Sequence, residues 1–147
     1  LELIAKKLGQ IPLVACAHER YIARRGVPTT PAELRNHDLV GFDRSDLLIA
    51  GARAMGFELK RSDFAFRTDS QPNGLELIKA GLGIGFAQAG LAAETPGLVA
   101  ILPELRAPPL EVWLTTHREL FTSRRVRAMY DGLGEGLSRY LARVSRK

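Results

Sequence analysis

The sequence predicts an α/β protein with a largely parallel sheet, because short strand-like runs alternate with short helix-like runs along the chain. The clearest instance is DFAFRTDSQPNGLELIKAGLGIGFAQAGL at residues 63–91, which reads as strand, polar corner, helix, glycine turn and strand. A β-α-β unit closes with a right-handed crossover, so its strands run parallel and the helix N-terminus turns toward their carboxyl ends. Small ligands bind at that edge of α/β sheets. No internal repeat and no low-complexity linker interrupts the pattern.

Residues 1–8 place their leucines and isoleucine at helical spacing and read as the end of an amphipathic helix. IPLVACA at residues 11–17 is a buried strand, and HERYIARRG is a short helix closed by Gly26. In VPTTPAELRNHD, Thr30 takes the N-cap, Pro31 the first helical position and Glu33 the first turn. Residues 39–42 form the next strand. Ser45 or Asp46 caps a helix through Leu47, Leu48, Ala52 and Met55 that stops at Gly56. Phe64 and Phe66 then alternate with Ala65 and Arg67 at the two-residue period of a strand.

Thr68, Asp69 and Ser70 end that run. Asp69 or Ser70 can accept a hydrogen bond from the first free N–H groups of a helix, and Pro72 is tolerated there because its missing N–H needs no partner. Leu75, Leu77, Ile78 and Leu82 supply the buried stripe, Gly81 closes the helix, and residues 84–87 form a second buried strand. A turn at residues 94–97 leads into LVAILPEL, a short strand ended by Pro103. RAPPLEVWLTTH opens on prolines and then alternates Val112, Leu114 and Thr116 with Trp113 and Thr115. Thr122 or Ser123 caps a long last helix with its stripe at Val126, Met129, Tyr130, Leu133, Leu137, Tyr140, Leu141 and Val144.

At 147 residues the chain has the size of about one domain. It carries no apolar run of signal-peptide or membrane-span type, so a cytoplasmic protein without a membrane partner is the expectation. Cys16 is the only cysteine, which excludes an intrachain disulfide and a thiolate metal cluster. The formal charge of +5 comes entirely from residue 118 onward, where eight Lys or Arg face Glu119, Asp131 and Glu135. A basic terminal helix can touch nucleic acid or membrane. Here the apolar stripe says that it packs, and aromatic interleaving is missing, so its arginines read as a solvated face.

Enzyme chemistry finds no footing. Gly81, Gly83 and Gly85 resemble a dinucleotide fingerprint, but Phe86 takes the last glycine position and the helix precedes the strand, the reverse of the required order. His18 beside Glu19 and His37 beside Asp38 are sequence neighbours, which rarely face one another, and His117 ends a strand. Three scattered histidines do not make a metal site. No catalytic residue, cofactor or metal is expected.

The strings HDLVGF, LLIAGARAMGFELKRSDFAFRTDSQ, IKAGLGIGFAQ, ILPEL and LEVWLTTHRELFTSRRVRAMYDGL occur in that order from about residue 8 to the C-terminus. Together they resemble the effector-binding domain of LysR-type transcriptional regulators. The resemblance implies a type 2 periplasmic-binding-protein-like fold of two α/β subdomains joined by two crossing strands, with a small-molecule effector in the cleft between them. It makes residues 11–16 and 111–116 the crossing strands and residues 17–110 a complete, Rossmann-like regulatory subdomain II. Residues 1–16 and 111–147 become a partial subdomain I. A winged helix-turn-helix, a linker helix and the first half of subdomain I would precede Leu1, so DNA would be reached only through that missing part.

The family's effector contacts carry over to Thr68, Asp69 and Ser70 and to Gly83, Ile84 and Gly85, with a third wall at residues 42–44, Phe42 and Arg44 included. Gln88 departs from the proline common among relatives. Asp69 facing the pocket would repel an anion, whereas turned away it would cap backbone, and Arg44 or Arg67 could restore a positive balance. Residues 68–70 are equally satisfied as a plain helix cap. The resemblance further implies a homodimer or higher homo-oligomer, and a residual cleft at residues 68–70 and 83–85 with reduced affinity for the effector. The alternatives are a solute-binding protein of similar fold and a small α/β hydrolase or transferase.

Overall fold

Pro12 has no N–H to give a strand ladder, and the first two strands meet at it: β1 (Leu3–Ile11) stops before it and β2 (Leu13–His18) starts after it. The computed structural model describes residues 2–105 and 107–145. Leu1, the first residue of the helix expected at 1–8, and the terminal Arg146 and Lys147 lie outside the described residues. The chain divides into two units, Leu13–Ala107 and the pair of segments Leu1–Pro12 and Pro108–Lys147. The expected division at residues 16/17 falls four residues inside the first of these, and that at 110/111 three residues beyond its end.

In the larger unit, β3 (Leu39–Gly41) pairs in parallel with β4 (Phe64–Arg67). Val40 N–H donates to Ile84 O and Ile84 N–H to Asp38 O, both at 2.8 Å, which joins β3 to β5 (Gly85–Gln88) in parallel. β2 then pairs antiparallel with β5 on one side and with β6 (Leu98–Ala100) on the other. Four of these five strands therefore run one way, and β2 alone runs against them. The expected largely parallel sheet holds except at that strand.

Apolar residues cover both faces of the sheet. Ala15, Ala17, Leu39 and Ile84 share one cluster with Tyr21 and Leu34, while Cys16, Val40 and Ala87 share the other with Ile78. The helices α1 (Glu19–Arg25) and α2 (Leu47–Ala54) contribute Tyr21 and Ala52 to the first cluster. The helices α3 (Gln71–Lys79) and α4 (Ala89–Glu94) contribute Ile78 and Ala92 to the second. Burial of a side chain such as Ile78, 1 % exposed, contributes about 1.5–3 kcal/mol. Phe64 packs with the first cluster and Phe66 with the second, although simple alternation would put both on one face. The ladder register shifts between Leu39 and Val40, and a bulge of that kind turns the following side chain over.

Two histidines hold this unit together. His18 is buried and caps α1, its Nδ1 accepting Arg20 N–H at 3.2 Å. Tyr21 is fully buried, and its hydroxyl accepts Asp38 N–H at 2.8 Å and meets His37 Nδ1 at 3.1 Å. Burial first, and the nearby Arg25 charge second, hold the His37 imidazole below its ordinary pKa. The Tyr21 hydroxyl thereby links the Asp38 N–H to the His37 ring in one run of hydrogen bonds.

The smaller unit is a two-stranded antiparallel ribbon with one long helix on it. β1 pairs with β7 (Leu110–His117) from Leu3 opposite His117 to Ile11 opposite Leu110. Residues 3–8 are thus strand and not the expected helix. Their true partner lies about a hundred residues away, and a bulge between Lys7 and Gly9 breaks the period-two pattern that would have marked them. α5 (Arg124–Val144) buries Leu141 and Val144, and Leu141 packs so closely on Gly9 that a Cβ there would stand 3.2 Å from its Cδ1.

Candidate functional site

β4 delivers the chain to the carboxyl edge of the larger unit's sheet. Thr68 N–H still donates to Gly41 O at 2.9 Å, which carries the pairing one residue past β4. The backbone then turns. Ser70 N–H donates to Thr68 Oγ1 at 3.1 Å, and Ser70 Oγ accepts Asn73 N–H at 3.4 Å as the N-cap of α3. Gly74 N–H donates to Ser70 O at 2.9 Å. Pro72 falls in the first turn, where its missing N–H leaves nothing unpaired. Gln71 N–H, as a first-turn donor, has no intrahelical acceptor.

Asp69 is turned away from α3 and clasps the loop after β3. Its Oδ1 accepts the N–H groups of Asp43 and Arg44, each at 3.1 Å, and its Oδ2 accepts Arg44 Nε–H at 2.7 Å. Those Arg44 hydrogen bonds, with the Arg44 charge, hold the Asp69 carboxyl below the ordinary carboxylate range and raise the guanidinium in turn. The Arg67 side chain stands 3.7 Å from Asp43. Both carboxylates nearest the corner are therefore paired with arginines, so neither opposes an approaching anion with an uncompensated charge.

The structure brings Thr68, Asp69, Ser70 and Arg44 together at one edge. Phe42, half-buried, is part of the clasped loop. It does not bring Gly83, Ile84 and Gly85 there. Ile84 bridges Leu39, which pairs in turn with Phe64 at the start of β4, so residues 83–85 lie at the amino ends of the strands. Thr68 is four residues further on, roughly 13 Å at strand rise. Ile84 moreover spends its N–H and C=O on β3 and its side chain, 3 % exposed, in the core. Gly83 and Gly85 serve close packing, because a Cβ on Gly83 would stand 2.4 Å from Asp38 O and one on Gly85 2.7 Å from Ile78 Cδ1. A strand's carboxyl end, not its entry turn, faces the N-terminus of the preceding helix, so from β5 it is Gln88 that reaches the edge of residues 68–70. Asp43, which completes the clasp, carried no sequence signal beyond its place after a strand.

Chemically the corner offers two hydroxyls, the positive end of the α3 dipole and the largely exposed Arg44 guanidinium, 86 % of whose side chain faces solvent. Such a set suits a carboxylate or another acceptor-rich small molecule. Among the described residues no group of three or more His, Cys, Asp or Glu gathers as a metal site, and no helix is long and apolar enough to cross a membrane.

Residues 1–138 match the LysR substrate binding domain family. The HTH-type transcriptional regulator YhjC of Escherichia coli K12 is 29 % identical over an aligned length of 150 residues, gaps included, and the match covers 95 % of this chain and 49 % of YhjC. The regulatory domain of CrgA, a LysR-type transcriptional regulator of Neisseria meningitidis, superimposes with a TM-score of 0.75 at 26 % identity, over 90 % of this chain and 68 % of that domain. The effector domain of the transcriptional regulator AmpR of Pseudomonas aeruginosa shares the fold, with a TM-score of 0.73 over 99 % of this chain and 69 % of that one, at 20 % identity. The chain thus spans about half the length of YhjC and two thirds of the solved regulatory domains.

Proposed function

Because this chain belongs to the LysR substrate binding domain family and has its periplasmic-binding-protein-like fold, we propose that it is the effector-sensing part of a LysR-type transcriptional regulator. The family match over residues 1–138 carries this reading, and the polar corner at Thr68, Asp69 and Ser70 supports it as one wall of the effector site. Residues 13–107 form the regulatory subdomain II of that sensor, with the rest of the chain belonging to subdomain I. The effector is a small molecule with a carboxylate or similar acceptor group. It is held by the hydroxyls of Thr68 and Ser70, the Gln71 N–H and the Arg44 guanidinium, while Asp69 fixes the loop that carries Arg44.

An effector that binds one conformation of the regulator better than another shifts their populations, and the shift reaches DNA by linkage. DNA is contacted through a helix-turn-helix segment outside these 147 residues, and the regulator works in the cytoplasm as a homodimer. The test is calorimetric titration of the chain with a panel of small mono- and dicarboxylates, with sulfate as the inorganic reference. A carboxylate that binds wild type and loses at least about tenfold in affinity in Ser70→Ala and Arg44→Ala supports the reading. Binding that ignores both substitutions removes the corner from the effector site.

A further inference from the structure

The buried residues of α5 and its arginines occupy different sides of the helix. Leu141 and Val144 are buried on the packed side, with Tyr130 and Leu137 half-buried beside them. Arg124, Arg125, Arg139 and Arg143 are exposed away from it. The helix carries five arginines against Asp131 and Glu135 and lies in the segment that supplies the whole formal charge of the chain, +5. Packing uses one side and leaves the basic side free.

Three of these arginines fall in line. Arg125, Arg139 and Arg143 follow one another at intervals that bring them back to within about 40° around the helix axis, at about 100° per residue. At a rise of about 1.5 Å per residue, the outer two stand about 27 Å apart along that axis. Gly132 and Gly136 lie between them on the same strip. A Cβ on either would meet nothing within 4 Å, so no side chain there holds a partner off the helix.

The chain does not neutralise this charge itself. Among the described residues, Arg124, Arg125 and Arg139 take part in no salt bridge. Glu135 precedes Arg139 by one turn, the favoured spacing of a helix ion pair, and among the described residues no salt bridge joins the two. A partner for the strip must therefore bring negative charge along about 27 Å. Protein interfaces are anchored by large aromatic and aliphatic side chains, and the strip holds only arginine and glycine. Duplex DNA presents a phosphate about every 3.4 Å along each strand, and the guanidinium fork matches phosphate geometry.

We propose that the outer strip of α5 docks on the phosphate backbone of duplex DNA through Arg125, Arg139 and Arg143. The contact holds the duplex without reading its sequence, because phosphate contacts position a protein and base contacts specify. The proposal stands on the charge of α5 and not on the effector corner, so the two can fail separately.

The experiment titrates a fluorescently labelled duplex of arbitrary sequence with the 147-residue chain and reads anisotropy over a range of salt concentrations. Each phosphate neutralised adds about 0.9 to the slope of log affinity against log salt, so three arginines give a loss of about fortyfold between about 50 and about 200 mM salt. At about 50 mM salt the expected dissociation constant is about 10⁻⁴ M or tighter. Arg125→Gln, Arg139→Gln and Arg143→Gln should each flatten the slope by about 0.9, whereas Glu135→Gln should tighten binding. All four positions are exposed, and circular dichroism confirms that each variant folds. Arg20→Gln and Arg35→Gln, exposed on the larger unit, change the net charge equally and should leave the slope unaltered. No anisotropy change at a chain concentration of about 10⁻⁴ M and about 50 mM salt overturns the proposal. So does a slope indifferent to the three α5 substitutions, or one flattened equally by those at Arg20 and Arg35. Poly-glutamate that binds as tightly as the duplex at matched charge also overturns it, because the strip then suits any acidic chain, an acidic protein included.

Discussion

Replacing Gly83 by alanine tests whether this glycine exists for the sheet or for a ligand. An added Cβ would stand 2.4 Å from Asp38 O and 3.3 Å from Val40 Cγ2, whereas a carbon and a carbonyl oxygen rest at about 3.3 Å. The two segments must part by most of an ångström. That separation stretches both hydrogen bonds between Ile84 and residues 38 and 40, each 2.8 Å long, toward the limit of useful geometry. Overpacking costs about 1–3 kcal/mol, and two weakened bonds add up to about 1 kcal/mol each. A loss of about 2–4 kcal/mol is expected, read as a fall of about 1–2 M in the urea midpoint followed by far-ultraviolet circular dichroism. Gly85→Ala is the internal control. Its added carbon meets the Cδ1 end of Ile78 at 2.7 Å and Val40 Cβ at 3.3 Å with no backbone carbonyl in the way, so overpacking of about 1–3 kcal/mol applies without the stretched hydrogen bonds, a smaller loss than at Gly83. A Gly83→Ala midpoint indistinguishable from wild type, or a larger loss at Gly85, would refute the reasoning and return Gly83 to the ligand question.

Four further outcomes follow from the same geometry. Tyr21→Phe strands Asp38 N–H without its 2.8 Å acceptor and should cost about 1–3 kcal/mol, whereas no change in the urea midpoint would mean that the hydroxyl contributes nothing. His37 has a folded pKa below its unfolded one near 6.5, so the unfolded chain takes up the proton first and stability falls as pH drops from about 7 toward the folded value. His37→Gln should flatten this part of the urea-midpoint profile, above the range where carboxylates titrate, and an unaltered slope would remove His37 as its source. Cys16, fully buried with its thiol pushed up to about 11, should react with a thiol reagent at pH 8 only as the chain unfolds, and rapid labelling of the native chain would contradict that burial. Gly132→Ala and Gly136→Ala should each stabilise the isolated chain by about 0.5–1 kcal/mol, seen as a higher melting temperature, because the new methyl group meets nothing. Destabilisation at either position would mean that the space is already in use.

The residues that announced the fold were those whose physics is local. Ser70 caps α3, Gly26 follows α1 with a φ of 77°, Gly81 follows α3 with a φ of 73°, and the Phe64–Arg67 strand stands where its alternation put it. What stayed hidden was set by distant partners. β1 is a strand only because β7 returns beside it, and its lysines and leucines satisfy a helical stripe equally well. The reversal of β2 is written in no residue of β2, since an apolar run fits either direction. α4 went unforeseen because AGLAAE lacks a capping side chain and spans under two turns. At the candidate site, the polar corner was legible as a cap, and Asp69 could be foreseen to turn inward or outward but not which. The placement of residues 83–85 failed for a reason of direction. A helix links the far ends of two parallel strands, so the turn after α3 opens at the opposite edge from the turn before it.

The reversed strand also governs how this chain meets the cell during synthesis. Cys16 pairs with Gly85 and Leu13 with Gln88, so β2 leaves the ribosome roughly 70 residues before its first partner. At about 5–20 residues per second, the apolar segment from Leu13 to Ala17 waits about 4–14 s with no strand to lie against. β3 and β4 need less time, because only residues 42–63 separate them. Within this unit assembly therefore starts at β3 and β4, and β2 is the strand that waits longest for its partners.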